Sequence, residues 1–432
     1  TSSTGGTGGT GGAPECADPT DCPGVNNACQ KRMCTSGACD MSQAAAGTPC
    51  EDGNPCTIND TCQTGACVSG GPVVCGIGQS CASGVCVAPC SGIIGLPGPP
   101  DIPAGPDAGA LAVADLDGDG EPDFAVTGPN GVRVLLGQGN VTFSAPIDYP
   151  TGTLPSELTA ADLDGDGLPD LVALSTMSND VSVLLNEGSG TFAAPLHYAV
   201  GSFPTSVAAA DLNGDGKPDI IVANVGTKDV SVLLNQGNGT FAAKVDYSAG
   251  GAASVAAADL NGDGAPDLAV ANGISDTVSV FLNHGDGTFA AKVDHAAGLG
   301  TTLVAAADLD GDGAPDLIVT HFAFGVVSVL MNQGNGAFAA PAYHAAGLDC
   351  WRVDTVDLDG DGQLDLVFSQ GLSNIISVVM NQGSGAFAAP VRYALGKGSG
   401  RSVAVDLNGD GNPDFAAMNE SSAVSVLLNQ GG

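Results

Sequence analysis

From about residue 110 to the C-terminus, one order of apolar and polar positions recurs seven times. Each unit opens with a run of small, β-compatible residues, such as LAVAD, SVAAAD or LVAAAD. An acidic nine-residue segment follows, then an apolar and partly β-branched run such as DFAVT, DIIVAN or DLIVT. Beyond a variable loop comes a strongly alternating stretch: VRVLL, VSVLL, VSVLL, VSVFL, VSVLM, ISVVM and VSVLL in turn. A Gly-rich turn (NQGNGTF, NHGDGTF, NQGNGAF) leads to a closing segment such as FAAPLHYAVG or FAAKVDYSAG. Period-two alternation bounded by Gly, Asn and Asp predicts strands, and almost no 3.6-residue pattern competes with it. The acidic segment, set between two such runs, is therefore a hairpin connection. Four strands in about 49 residues make one propeller blade. A solenoid is disfavoured, because its repeats run shorter and its ends need caps.

The acidic segments start at Asp115, Asp162, Asp211, Asp259, Asp308, Asp357 and Asp406, at intervals of 47, 49, 48, 49, 49 and 49 residues. The last unit stops at VSVLLNQGG without a fourth strand, while an unmatched piece of that type, PPDIPAG, precedes the first unit. It aligns with APIDYPTG, and both end ten residues before an acidic segment. Residues 93–105 can thus supply the outer strand of the last blade, which closes the ring and removes its open edge. The expected fold is all-β: a seven-bladed propeller of four-stranded blades over residues 91–432.

The acidic segments read DLDGDGEPD, DLDGDGLPD, DLNGDGKPD, DLNGDGAPD, DLDGDGAPD, DLDGDGQLD and DLNGDGNPD. Side-chain oxygens stand at positions 1, 3, 5 and 9, and the glycines at 4 and 6 let the chain curl tightly. In chain order these donors are Asp115, Asp117, Asp119 and Asp123; Asp162, Asp164, Asp166 and Asp170; Asp211, Asn213, Asp215 and Asp219; Asp259, Asn261, Asp263 and Asp267; Asp308, Asp310, Asp312 and Asp316; Asp357, Asp359, Asp361 and Asp365; and Asp406, Asn408, Asp410 and Asp414. The carbonyl at position 7, Glu121 in the first copy, can add a further oxygen. Many hard oxygen donors in one tight loop suit Ca2+, which takes six to eight of them. Mg2+ prefers fewer protein ligands, and a loop binding nothing would crowd its carboxylates for no gain. An EF-hand is excluded, because it needs a Glu at position 12 and flanking helices. The loops with Asn213, Asn261 and Asn408 carry one charge fewer and are expected to bind more weakly.

This pattern resembles the FG-GAP or VCBS repeat family, whose best-known member is the β-propeller of integrin α subunits. The resemblance covers about residues 93–432. It implies calcium on positions 1, 3, 5, 7 and 9 of every loop, with the position 7 carbonyls of Glu121, Leu168, Lys217, Ala265, Ala314, Gln363 and Asn412 included. Integrin propellers carry such loops in only some blades, whereas here each blade has one, so about seven ions are expected. The family also includes sugar-binding lectins and domains attached to bacterial enzymes, so membership leaves function open.

Thirteen of the 14 cysteines lie between Cys16 and Cys90, among turn residues with little apolar content. Residues 14–90 therefore read as a small disulfide-rich, loop-rich domain, after a flexible Gly/Thr-rich segment at 1–13. Zinc is the weaker alternative, since no CxxC pair and no His occur there. The odd count leaves one cysteine, and Cys350 is the only one in the repeats. A Cys90–Cys350 disulfide is expected; the alternative is a free thiol at Cys350. Disulfides imply export, and a chain opening on Thr implies a targeting segment already removed.

The formal net charge is −36, and seven bound Ca2+ would leave about −22, so nucleic acid and anionic membranes are poor partners. No stretch is long and apolar enough to span a bilayer. No HExxH or GxSxG occurs, and His197, His284, His295, His321 and His344 are scattered, which suits surface or rim roles. Trp351 beside Cys350 fits packing better than sugar stacking. The expected function is a secreted or cell-surface, non-enzymatic, calcium-stabilised structural or adhesive protein. Its partners would be another protein or copies of itself, as in a filament. A carbohydrate-binding propeller and a polysaccharide-active enzyme or its accessory domain stay open as alternatives.

Overall fold

The apolar runs become the sheets of seven blades in the computed structural model. It describes residues 101–432 except 323, 348–349, 371–374, 395–400, 420 and 430–432, and before residue 101 the backbone of eight short strands alone. The chain divides into two compact units, Thr1–Ala88 and Pro89–Gly432. Blade 2 is typical, with antiparallel strands Pro155–Ala161, Asp170–Ser175, Asp180–Leu184 and Leu196–Ala199 in chain order. Blade 7 combines Ser402–Val405, Asp414–Met418 and Ala423–Leu427 with Ile102–Pro103, which pairs beside Ala423 and Val424. First strands contact the first strands of both neighbouring blades in a closed circle, blade 7 meeting blade 1, and so line a central channel.

The second strands, read as continuous apolar runs, are buried along their whole length. Their side chains fill the space between sheets, so the core is a set of clusters between successive blades. Leu163, Val172 and Val183 of blade 2, for instance, pack against Val207, Ile220 and Val222 of blade 3. The alternating third strands are buried on both faces, because their polar positions are satisfied serines. Ser231 Oγ donates to Asp246 Oδ1 at 2.7 Å, and Asn224 Nδ2 donates to Ser231 Oγ at 3.0 Å. A buried hydroxyl between two partners avoids the cost of an unmet hydrogen bond. Fourth strands form the exposed outer edges.

In the N-terminal unit the backbone forms hairpins Gln30–Thr35 with Ala38–Gln43, Thr61–Gln63 with Ala66–Val68, and Ser80–Ala82 with Val85–Val87. Their register sets Cys34 opposite Cys39, Cys62 opposite Cys67 and Cys81 opposite Cys86. The disulfides expected in this unit, like the flexible segment at 1–13, lie outside the described residues, as does Cys90. Cys350 is buried, and its Sγ donates to Gly347 O at 3.0 Å. The side chain of Trp351 also lies outside the described residues.

Candidate metal centres

Each acidic loop joins the first and second strands, so all seven lie on one face of the ring. In the first loop, Asp115 acts as an internal cap. Its Oδ1 accepts from Gly118 N at 2.8 Å and Asp119 N at 3.1 Å, and its Oδ2 from Gly120 N at 3.0 Å. Gly118 and Gly120 take φ of 79° and 91°, where a side chain is strained. This curl brings carboxylate oxygens of Asp115, Asp117 and Asp123 within 4.8 Å of one another. Asp162, Asp164 and Asp170 do the same, as do Asp308, Asp310 and Asp316, and also Asp357, Asp359 and Asp361. These are the four loops without Asn at position 3. An all-oxygen set at this spacing fits a hard divalent cation. Burial, then the charges of Asp119 and Asp115, push Asp117 above the usual carboxylate range.

Position 9 has a second task that sequence reasoning missed. Asp123 is fully buried; its Oδ2 accepts from Leu116 N and its Oδ1 from Gly137 N, both at 2.6 Å. The same pair of bonds recurs at Asp170, Asp219, Asp267, Asp316, Asp365 and Asp414. Burial pushes each of these seven carboxyls up to about 6, although the two N–H donors oppose the shift. A bound dication would favour the ionised form. Position 9 thus ties its loop to the start of the Gly-rich turn with the lone pairs a cation does not need.

The residue that donates the second bond is Asn in six blades. Asn186 Nδ2 donates to Pro169 O of its own loop at 3.0 Å and to Leu116 O of the preceding loop at 2.8 Å. Its recurrence after each third strand was visible in the sequence, but there it reads as turn chemistry alone. Loops also touch directly: Lys217, at position 7 of the third loop, donates from Nζ to Asp164 O of the second at 2.5 Å.

The histidines divide. His197 is at the rim, with Nδ1 3.0 Å from Ser182 Oγ. His295 and His344 pack edge-on against Phe338 and Phe387 of the next blade. His321 does not fit the expected surface role: it is only 1% exposed. It ends the second strand of blade 5 where blades 3 and 4 have Asn224 and Asn272, and its Nε2 lies 2.9 Å from Ser328 Oγ. It is the buried polar cap of a third-strand serine, with a pKa held down by burial.

A cluster that sequence reasoning missed occupies the central channel. Glu157 and Arg352 each follow a register shift in the first strand, between Pro155 and Glu157 in blade 2 and between Cys350 and Arg352 in blade 6. Glu157 of blade 2 pairs with Arg401 of blade 7, and lies 3.6 Å from Arg352 of blade 6. Arg352 Nε is 3.4 Å from Asp354 Oδ1, whose other oxygen accepts from Ser402 Oγ at 2.9 Å. Burial raises Asp354, with Arg352 opposing, and pulls Arg401 down to about 10. Arg401 still remains charged at neutral pH.

Solved structures share the propeller fold at low identity. An Agrocybe aegerita lectin that recognises non-reducing terminal N-acetylglucosamine is 23% identical, with a TM-score of 0.50 over 66% of this chain and 80% of its own. BBS1N, in complex with ARL6DN, is 11% identical, with a TM-score of 0.52 over 78% and 97%. A catalytically inactive virginiamycin B lyase from Staphylococcus aureus, with quinupristin, is 11% identical, with a TM-score of 0.50 over 77% and 97%. No curated protein matches the chain. The model of the FG-GAP-like repeat matches five successive windows, residues 115–173, 162–222, 211–270, 259–319 and 308–368, each opening on the first Asp of an acidic loop. Together they span more than half of the sequence, and the chain belongs to the FG-GAP-like repeat family.

Proposed function

We propose that this chain is an extracellular, calcium-stabilised structural or adhesive protein without enzymatic activity. Its propeller binds about seven Ca2+, one in each of the loops already described. The observation that carries this reading is the repetition of one oxygen-donor loop in all seven blades, on one face of the ring. An ion in every blade is what a rigid scaffold needs, whereas catalysis needs one distinctive site. The low affinity usual for extracellular calcium modules, roughly 10⁻⁴–10⁻³ M, suits an exported protein. The opposite face, formed by the loops between second and third strands and between blades, exposes Phe203, Leu299 and Phe324. Exposed apolar residues of this size suit docking to another protein or to copies of the chain, as in a filament.

Two measurements test the reading. Thermal melting in 2 mM CaCl2 and in excess chelator should differ by many degrees, since ligand bound only to the folded state stabilises it by mass action. Coincident curves would refute calcium as a structural ligand. Electron microscopy in calcium should show assemblies; isolated monomers at all concentrations would remove the self-assembly part. A second reading, glycan binding, draws on the exposed rings of Phe203, Phe322 and Phe324 on the open face. A glycan array without signal removes it.

A further inference from the structure

The asparagines that follow the third strands link the acidic loops in series. Asn186, Asn235, Asn283, Asn332, Asn381 and Asn429 each donate from Nδ2 to the position 2 carbonyl of the preceding blade's loop, at 2.7–3.0 Å. Their backbone N–H groups donate to the position 9 carboxylate of their own loop, each at 2.7 Å. Each is thus bonded to a candidate ligand of one loop and to the backbone beside the first ligand of the loop before it. All six are at most 8% exposed and sit with both groups desolvated at the blade junction. Blade 1 has Gly137 at this position, so no such side chain bridges blade 7 to blade 1.

We infer that these asparagines are positioning residues that couple calcium binding between adjacent loops, and that the coupling runs as an open series from loop 1 to loop 7, interrupted at Gly137. The inference rests on the calcium reading above. Occupation of one loop fixes its position 9 carboxylate, which fixes the asparagine backbone and aims its amide at the neighbouring loop. Coupling of this kind is reciprocal by linkage. Residues that orient ligands without touching the metal are typically worth 10- to 100-fold in affinity.

The test is equilibrium dialysis of the full chain with Ca2+ as the probe, at fixed ionic strength, which reads the number of sites and their affinities. Asp259→Ala silences loop 4. It should remove one ion and weaken two others about tenfold, those of loops 3 and 5. Asp115→Ala silences loop 1 and should weaken only one other. Asn332→Ala keeps every carboxylate ligand, so it should retain all sites while loops 4 and 5 bind about tenfold more weakly. Combined with Asp259→Ala, it should add nothing: loops 3 and 5 stay about tenfold weakened and no more, because loop 5 has already lost what passes through Asn332. Asn332→Gly, the residue blade 1 already carries, is the second variant if Asn332→Ala folds poorly. If each silenced loop removes one ion and leaves all others at wild-type affinity, the coupling is overturned. It is also overturned if Asn332→Ala lowers the melting temperature in chelator yet gives the wild-type isotherm, because the amide is then a structural staple only. A wild-type chain that takes up no calcium overturns the calcium reading itself, a result distinct from the other two.

Discussion

Replacing His295 and His344 with tyrosine should stabilise the propeller and flatten its response to acid. Blades 1, 2 and 3 place Tyr149, Tyr198 and Tyr247 at the equivalent point of the fourth strand. The ring geometry is shared: centroids of Tyr149–Phe192, Tyr198–Phe241, His295–Phe338 and His344–Phe387 are 5.3, 5.4, 5.3 and 5.0 Å apart, all edge-on. The polar ends differ. Tyr149 OH donates to Gly190 O at 3.2 Å, and Tyr198 OH accepts from Phe241 N at 3.3 Å. Nε2 of His295 and of His344 is buried with no partner. A buried polar atom left unpaired costs about 1–3 kcal/mol. Supplying a hydroxyl with enough reach should recover about 1 kcal/mol per site, or roughly 1–2 °C in melting temperature for a unit of this size. Burial holds both histidines below their ordinary pKa of 6.5, with Asp294 pulling His295 partly back. A depressed histidine contributes stability that is present above 6.5 and lost as the pH falls through the folded value. The gap between the double variant and wild type should therefore widen from pH 7.5 to pH 5. Calorimetry in saturating calcium measures both effects. Equal melting temperatures at pH 7.5 would show that the orphan nitrogens carry no cost. A gap independent of pH would show that the histidines titrate alike folded and unfolded.

Three further substitutions probe other parts of the ring. Glu157→Gln leaves the half-buried Arg401 without its carboxylate and should cost about 1–3 kcal/mol in guanidinium unfolding, whereas Glu157→Leu with Arg401→Met should be close to neutral. Gly120→Ala meets nothing within 4 Å but forces a side chain to φ 91°, so it should cost about 1–2 kcal/mol and weaken calcium uptake at loop 1 most. Arg133→Ala strips the donor from Ala104 O and Pro106 O, at 3.2 and 2.9 Å. It should speed proteolysis between residues 104 and 107 with little change elsewhere.

The blades and their acidic loops were legible because both signals are local. Alternation around Val181 and Val183, and the curl built by Asp115, Gly118 and Gly120, depend on neighbours within about ten residues. The double role of Asp123 was hidden, since its second partner, Gly137, lies fourteen residues away on the far side of the hairpin. Asn186 recurs visibly, yet its partner Leu116 is seventy residues earlier and in another blade. His321 looked like a scattered surface residue because nothing local marks a second-strand end as the cap for a third-strand serine. Glu157 offered no signal at all: Arg401 reaches it only because the ring closes and brings blade 7 within two blades of blade 2.

That closure explains where the irregular residues of this otherwise repetitive chain are concentrated. The closing seam, inside blade 7 between Ala423–Leu427 and the Ile102–Pro103 segment that runs on into blade 1, is the one place where neighbouring strands are not joined in sequence. Its regular devices are also weakest there. The outer ladder is two residues long, against four in blade 2, and Gly137 omits the asparagine bridge. The residues that break the repeat compensate at that same junction. Arg133, where other blades have serine, holds the carbonyls of the incoming segment. Asp101 keeps the regular fourth-strand bond, accepting from Ser425 Oγ at 2.7 Å, and Asp107 N adds a bond to Ser422 Oγ at 3.1 Å. Glu157 reaches past blade 1 to Arg401, bracing the junction from the channel side. A shared core then joins Ile102, Leu111 and Phe124 to Leu407, Val424 and Val426. In a repeat protein stability is roughly a sum of unit and interface terms, so a ring opens first at its weakest interface. The departures from the repeat at Arg133, Glu157 and Arg401 are accounted for by that interface, with no need of a ligand at any of them.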